Sequence, residues 1–218
     1  MTSPATVALL AVAAAAAVGD WVAVGFGLRR VEFAFKPAVL ALLVAAAATA
    51  DLGPEKPWVV VALALGLAGD VGLLLAAPDR LTVPFLAGLG AFLVGHGFWI
   101  VAFVRRGLHP LPAVAGVLVA LGVAGLVLRP VLRAVHTEGG RPLTAVVALY
   151  VLVLAAMSVL AVSTGLALVA AGGVAFLVSD AVLAHDRFVR PVRRGHLVVM
   201  ITYHAAQFLL LTGLLRHG

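Results

Sequence analysis

Two aspartates stand where an apolar chain has little reason to place them. Asp70 lies in LGLAGDVGLLL and Asp180 in AFLVSDAVLAHDRF, each well inside a hydrophobic run. An ionised carboxylate in hydrocarbon is costly, so such residues read first as functional. Two carboxyls can divide acid–base work: one donates a proton while the other stabilises positive charge or activates water. The same pair can relay protons across a membrane. A purely structural bundle is a third reading, but it has no need of two carboxyls at matching depth.

The remaining polar residues in apolar surroundings are weaker signals. Ser179 precedes Asp180, and Tyr150 lies within the apolar run TAVVALYVLVLAAM. Tyr203, His204 and Gln207 sit together in VVMITYHAAQFLL, where interhelical hydrogen bonding is the plain account of the last two. His96 in AFLVGHGFW reads equally as a proton carrier, a polar substrate contact or a satisfied core histidine. Asp20 reads as a cap or the partner of a loop arginine, with site membership as the alternative. Lys36 begins an apolar run and is expected to snorkel to the interface. The chain has no cysteine, which removes disulfides, zinc–thiolate sites and cysteine nucleophiles. HExxH and HxxxH spacings, GxSxG, a Walker loop and GxGxxG are all missing, so neither a metal nor another cofactor is expected.

What must position these residues is a membrane bundle. Of the 218 residues, 64% are hydrophobic and only 11% charged, and the mean hydropathy is +1.19. Such a composition predicts an all-α, polytopic integral membrane protein, one transmembrane domain over 1–218. The net charge of +6 is not a nucleic-acid signal, because the arginines fall in short clusters between apolar runs. Breakers divide the chain into eight expected spans: Ala5–Leu28, Pro37–Ala50, Trp58–Ala77, Val83–Val104, Leu111–Leu128, Pro142–Val162, Leu166–His185 and His196–Leu215.

Basic residues split unevenly between alternate loops. Arg29, Arg30, Lys36, Arg80, Arg129, Arg133, Arg141, Arg187, Arg190, Arg193 and Arg194 share one side, against Lys56, Arg105, Arg106 and Arg216 on the other. The positive-inside rule then predicts outward termini and a cytoplasmic HDRFVRPVRRGH loop, in a bacterial inner or plasma membrane. At 1.5 Å per residue, Asp70 and Asp180 come out about 10 and about 8 Å from the cytoplasmic ends of their spans. Tyr150 and Tyr203 come out roughly 10–12 Å from the same side. The third and seventh spans run in the same direction, so the expected partner of Asp180 is Asp70. GDVGL and SDAVL, four spans apart, also hint at a parallel duplication.

Five short motifs occur in a fixed order: FKP (Phe35–Pro37), GD (Gly69–Asp70) with Leu74, Phe92 with His96, Phe176 with Ser179, Asp180 and Leu183, and Tyr203 with Gln207. Together they resemble the YhhN family, bacterial relatives of the TMEM86 lysoplasmalogenases. The resemblance implies an eight-helix intramembrane hydrolase that cleaves the vinyl-ether bond of lysoplasmalogens. Its products would be a fatty aldehyde and glycerophosphoethanolamine or glycerophosphocholine, and its one partner a membrane lysophospholipid. A vinyl ether hydrolyses when an acid protonates its β-carbon and water captures the oxocarbenium ion. That chemistry asks for one protonated and one ionised carboxyl, the division of labour glycosidases use. Asp70 and Asp180 are the expected catalytic pair, with the choice of acid open. Tyr150, Tyr203 and Gln207 are expected to position water or the glycerol hydroxyl, and Lys36 to hold the phosphate. Ser179 and His96 complete the expected substrate contacts. The alternative function is a proton-coupled small transporter using the same aspartates.

Overall fold

The computed structural model describes residues 3–76 and 82–215. Its helices are α1 (Pro4–Gly25), α2 (Arg29–Thr49), α3 (Lys56–Leu75), α4 (Val83–Arg106), α5 (Pro110–Ser163), α6 (Ala167–Phe188) and α7 (Gly195–Leu215), with a 3-10 turn at Gly53–Glu55 before α3. No strand occurs among the described residues. All seven helices are long and apolar enough to cross a membrane. The protein is an all-α membrane protein. Large apolar side chains such as Leu111, Leu126 and Leu152 point outward, as lipid-facing positions require, because lipid offers them the same surroundings as a core.

Helix α5 is two arms. Gly140 breaks its 54 residues with φ 64° and ψ −159°, a left-handed conformation that glycine adopts without strain. The arms, 110–139 and 141–163, correspond to the fifth and sixth expected spans. The first arm continues past the expected stop at Leu128. Hydropathy marks where a helix leaves hydrocarbon, and Arg129 and Arg133 leave it without ending the helix. Likewise α2 begins at Arg29 rather than Pro37, with Pro37 inside it. Membrane helices tolerate an interior proline because neighbouring groups satisfy the freed carbonyl. The expected end of the third span at Ala77, and the basic residues Arg80 and Arg216, lie outside the described residues.

The chain forms two compact units, one running to Arg106 and including α7 from Leu211 onward, the other Gly107–Leu210. In the first, Ser3 caps α1 by accepting from the Thr6 amide at 3.1 Å, and Pro4 suits the first turn. The Thr6 and Thr49 hydroxyls, 3.1 Å apart, tie the start of α1 to the end of α2. Helices α3 and α4 approach closely through glycines: a Cβ on Gly72 would sit 2.7 Å from the Gly88 Cα. This is the small-residue packing that holds membrane helices where no hydrophobic effect acts between them. In the second unit, the Ser158 hydroxyl donates to the Gly173 carbonyl at 3.0 Å, joining α5 to α6. Ser179 donates to the Val199 carbonyl at 3.2 Å, joining α6 to α7. The His109 amide donates to the Ser163 carbonyl at 2.7 Å, closing the far ends of the α5 arms.

Candidate active site

In the first unit the chemistry gathers at the Asp70 end of α3. Lys36 Nζ on α2 lies 3.6 Å from Asp70 Oδ1, and the side chains are only 4% and 1% exposed. Lys36 is therefore buried in the helix interior, not snorkelling at the interface as the sequence suggested. The reason is the longer α2: eight residues of helix starting at Arg29 precede Pro37, and they carry Lys36 inward. Glu32, one turn before Lys36 on the same helix, is also buried. On α1, Asp20 is fully buried, and its neighbour Gly19 packs against the Phe35 ring. The α1 backbone at Gly19, next to Asp20, therefore lies against Phe35 of α2. His96 on α4 is buried as well. Its neighbour Gly95 meets the backbone at Ala62 and Gly66, which puts His96 about one turn of α3 from Asp70.

The second unit holds the other aspartate differently. Tyr150, buried on the second arm of α5, donates its phenol proton to Asp180 Oδ2 at 2.5 Å. Asp180 is half-buried, and within its unit the described residues offer it no cation. Its sequence neighbour Ser179 is fully buried and bonded to the α7 backbone, so its hydroxyl pins two helices together. Tyr203 on α7 meets the Phe176 ring of α6 edge-on, centroids 5.5 Å apart, and stands against His204.

The antiparallel α6–α7 register orders these residues by depth. Ser179 meets Val199, Phe176 meets Tyr203, and Gly172 meets Leu210. Tyr203 is thus about one turn, and Gln207 about two turns or roughly 12 Å, farther from the Phe188 end than Asp180. Gln207 is buried, and its Oε1 accepts no hydrogen bond among the described residues. It is an acceptor suited to water or a hydroxyl, separated along the helix from the Asp180 carboxyl.

Tyr150 was read from the sequence as a positioner of water, and Asp70 as the partner of Asp180. Within the units, Tyr150 partners Asp180 and Lys36 partners Asp70. The Lys36–Asp70 pair was missed although a signal existed: Glu32 and Lys36 stand four apart in an apolar helix, a spacing that puts both on one face. No cluster of three or more His, Cys, Asp or Glu able to hold a metal occurs among the described residues. The arrangement supplies one carboxylate beside an ammonium and one carboxyl beside a phenol.

Known proteins are similar to the chain over most of its length. A protein from Mycobacterium bovis named lysoplasmalogenase is 34% identical over 188 residues, covering 83% of this chain and 69% of its own length. Human lysoplasmalogenase TMEM86B is 37% identical over 133 residues, covering 61% of this chain and 54% of its own. The mouse protein of the same name is 36% identical over 166 residues, 76% of this chain and 67% of its own. No solved structure matches. The family model for YhhN matches residues 31–214, which take in Lys36, Asp70, Tyr150, Asp180 and Gln207 alike, and the chain belongs to the YhhN family.

Proposed function

We propose that this protein is a hydrolase of the membrane that cleaves the vinyl-ether bond of lysoplasmalogens or a related lysophospholipid. Relatives named lysoplasmalogenase, at 34% and 37% identity, support the activity and a lipid substrate. The observation that carries the chemistry is that each intramembrane aspartate has its own, different partner: Lys36 for Asp70 and Tyr150 for Asp180. In the proposed reaction one aspartic acid gives its proton to the β-carbon of the vinyl ether. The C=C electron pair forms the new C–H bond, and the ether oxygen shares the resulting positive charge. An ionised aspartate stabilises that oxocarbenium ion, and water adds to it. The hemiacetal then collapses to a fatty aldehyde and the glycerophospho-base. Ser179, Tyr203, Gln207 and His96 remain candidates for contacting substrate or water. Helices α3 and α6 run unbroken through Asp70 and Asp180, whereas transporter sites favour discontinuous helices. That supports the enzyme over a proton-coupled transporter. The basic loops orient the protein with the Arg187–Arg194 segment in the cytoplasm.

The test is mass spectrometry of lipids incubated with purified protein. Release of fatty aldehyde from a lysoplasmalogen, and none from the saturated alkyl-ether analogue, is the expected result. No aldehyde from any vinyl-ether lysolipid would overturn the reading.

A further inference from the structure

The different partners of the two aspartates bear on which one is the acid. Asp70 has an ammonium 3.6 Å away, and both side chains are nearly inaccessible. A buried pair of this kind keeps both charges, because either ion alone in a low dielectric costs far more than the two together. Its proton is already spent. Asp180 has no ammonium or guanidinium beside it within its unit, and its bonded partner is a neutral phenol. A carboxyl in apolar surroundings whose bonded partner is neutral can carry a proton without stranding a cation. Asp180 is also half-buried, while Asp70 is 1% exposed. Only the half-buried carboxyl offers an oxygen to an incoming group.

Tyr150 fixes which oxygen that is. Its hydroxyl occupies Oδ2, so in the neutral acid Oδ2 is the carbonyl oxygen and Oδ1 carries the proton. When that proton leaves, Asp180 becomes a carboxylate and the phenol bond becomes charge-assisted, about twice as strong as a neutral one. An interaction that tightens along the reaction lowers the barrier without tightening substrate binding. Tyr150 thereby acts through Asp180 and is a positioning residue.

We propose that Asp180 is the proton donor, delivering from Oδ1 while Tyr150 holds Oδ2, and that Asp70, paired with Lys36, stays an anion throughout. This assignment rests on the hydrolase reading. The proton leaves Asp180 Oδ1 for the β-carbon and the C=C pair forms the bond to it. Water attacks the oxocarbenium carbon, and a water proton returns to Asp180 to restore the resting state. No oxidant, metal or further reactant is consumed.

The experiment reads protonation directly, so it does not depend on knowing the substrate. Infrared difference spectra of the full-length protein in lipid are recorded in H₂O and D₂O. The wild type should show a carbonyl stretch of a protonated carboxylic acid that shifts in D₂O. The wild-type-minus-Asp180→Asn spectrum should contain that band. The wild-type-minus-Asp70→Asn spectrum should lack it and show an ionised carboxylate instead. Tyr150→Phe should move the Asp180 band without abolishing it, since one hydrogen bond to its carbonyl is lost. Where Asp180→Asn does not fold, Asp180→Glu serves, by a displaced band. A protonated-acid band that disappears with Asp70→Asn, or no such band tied to Asp180, overturns the assignment even if aldehyde is released. Failure of aldehyde release with the bands as expected would instead remove the hydrolase reading alone. In kinetics, Tyr150→Phe should lower kcat about tenfold with KM nearly unchanged, whereas a merely structural tyrosine would move neither the band nor that split.

Discussion

Asp70 faces a buried ammonium at 3.6 Å, whereas Asp180, half-buried, accepts a phenol proton at 2.5 Å. An ammonium compensates a carboxylate only while both are charged, so the first arrangement fixes one protonation state. A phenol can donate to a carboxyl in either state, so the second lets the group cycle. The local cost follows the same line. Removing Lys36 strands a charge in a dry helix interface, and removing the Tyr150 hydroxyl strands only a polar oxygen. On the proposed mechanism, one unit of this protein holds a charge and the other exchanges one. The experiments that separate the two can be ordered by expected size.

The largest effect falls on turnover. Asp70→Asn and Asp180→Asn keep volume and some hydrogen bonding, but the first loses an anion and the second a transferable proton. Each should lower aldehyde release by about 10²–10⁴-fold, the usual worth of a general acid or its counterpart. Melting in lipid or detergent checks that the loss is chemical. Near-normal aldehyde release from Asp180→Asn would leave Asp70 acting alone and end the two-carboxyl scheme.

Next comes stability, where the contrast is sharpest. Lys36→Met leaves Asp70 with its nearby ammonium gone and should destabilise by about 3–5 kcal/mol. Tyr150→Phe should cost only about 1–2 kcal/mol, the worth of one buried hydrogen bond to a charged or polar group. Pairing Lys36→Met with Asp70→Leu should restore most of the loss, because the stranded charge is then removed too. A Lys36→Met protein that melts like the wild type would show that the ammonium is hydrated after all, and the comparison would fail at its first half.

The sequence carried part of this and physics explains which part. Apolar runs located the long helices, because hydrocarbon thickness sets a length that composition reports. Asp70 and Asp180 stood out for the same reason, as charges in the wrong solvent. Partners were another matter. Whether Lys36 turns inward or toward the rim depends on where α2 begins, and hydropathy placed that start at Pro37 instead of Arg29. Whether Tyr150 meets Asp180 depends on the rotational phase of α5 against α6, which register and packing decide. The fifth and sixth spans were legible as separate runs, and Gly140, with φ 64°, breaks the chain between the two arms.

Packing in the charge-holding unit offers a third, smaller effect. The Cβ of Gly72→Ala would fall 2.7 Å from Gly88 Cα and 2.9 Å from the Pro84 carbonyl, backbone atoms that cannot rotate away. Overpacking should cost about 1–3 kcal/mol and, by pushing α3, reduce turnover as well, since Asp70 lies two residues earlier. Gly97→Ala on α4, where nothing lies within 4 Å, is the control and should be neutral in melting and in activity. Equal behaviour of the two alanines would mean that α3 and α4 are not held as closely as their glycines allow.

The smallest effect belongs to an ion pair that is neither buried nor part of the site. Arg187 at the end of α6 binds Glu138 beside the α5 kink at 2.9 Å, with side chains 18% and 31% exposed. Both charges keep water and both lie within reach of dissolved ions, so attraction gained is largely hydration lost. A double-mutant cycle of Glu138→Gln and Arg187→Gln should give a coupling of about 0.2–1 kcal/mol. Raising salt from low to molar ionic strength should shrink it further, because the Debye length then falls to about 3 Å. The same cycle on Lys36 and Asp70 should be several times larger and indifferent to salt. If the Glu138–Arg187 coupling matched it, or if the Lys36–Asp70 coupling faded in salt alongside it, the two pairs would share one solvent. Asp70 would then have no claim to be the anion that hydrocarbon protects, and the charge-holding unit would differ from the charge-exchanging one in residue names alone.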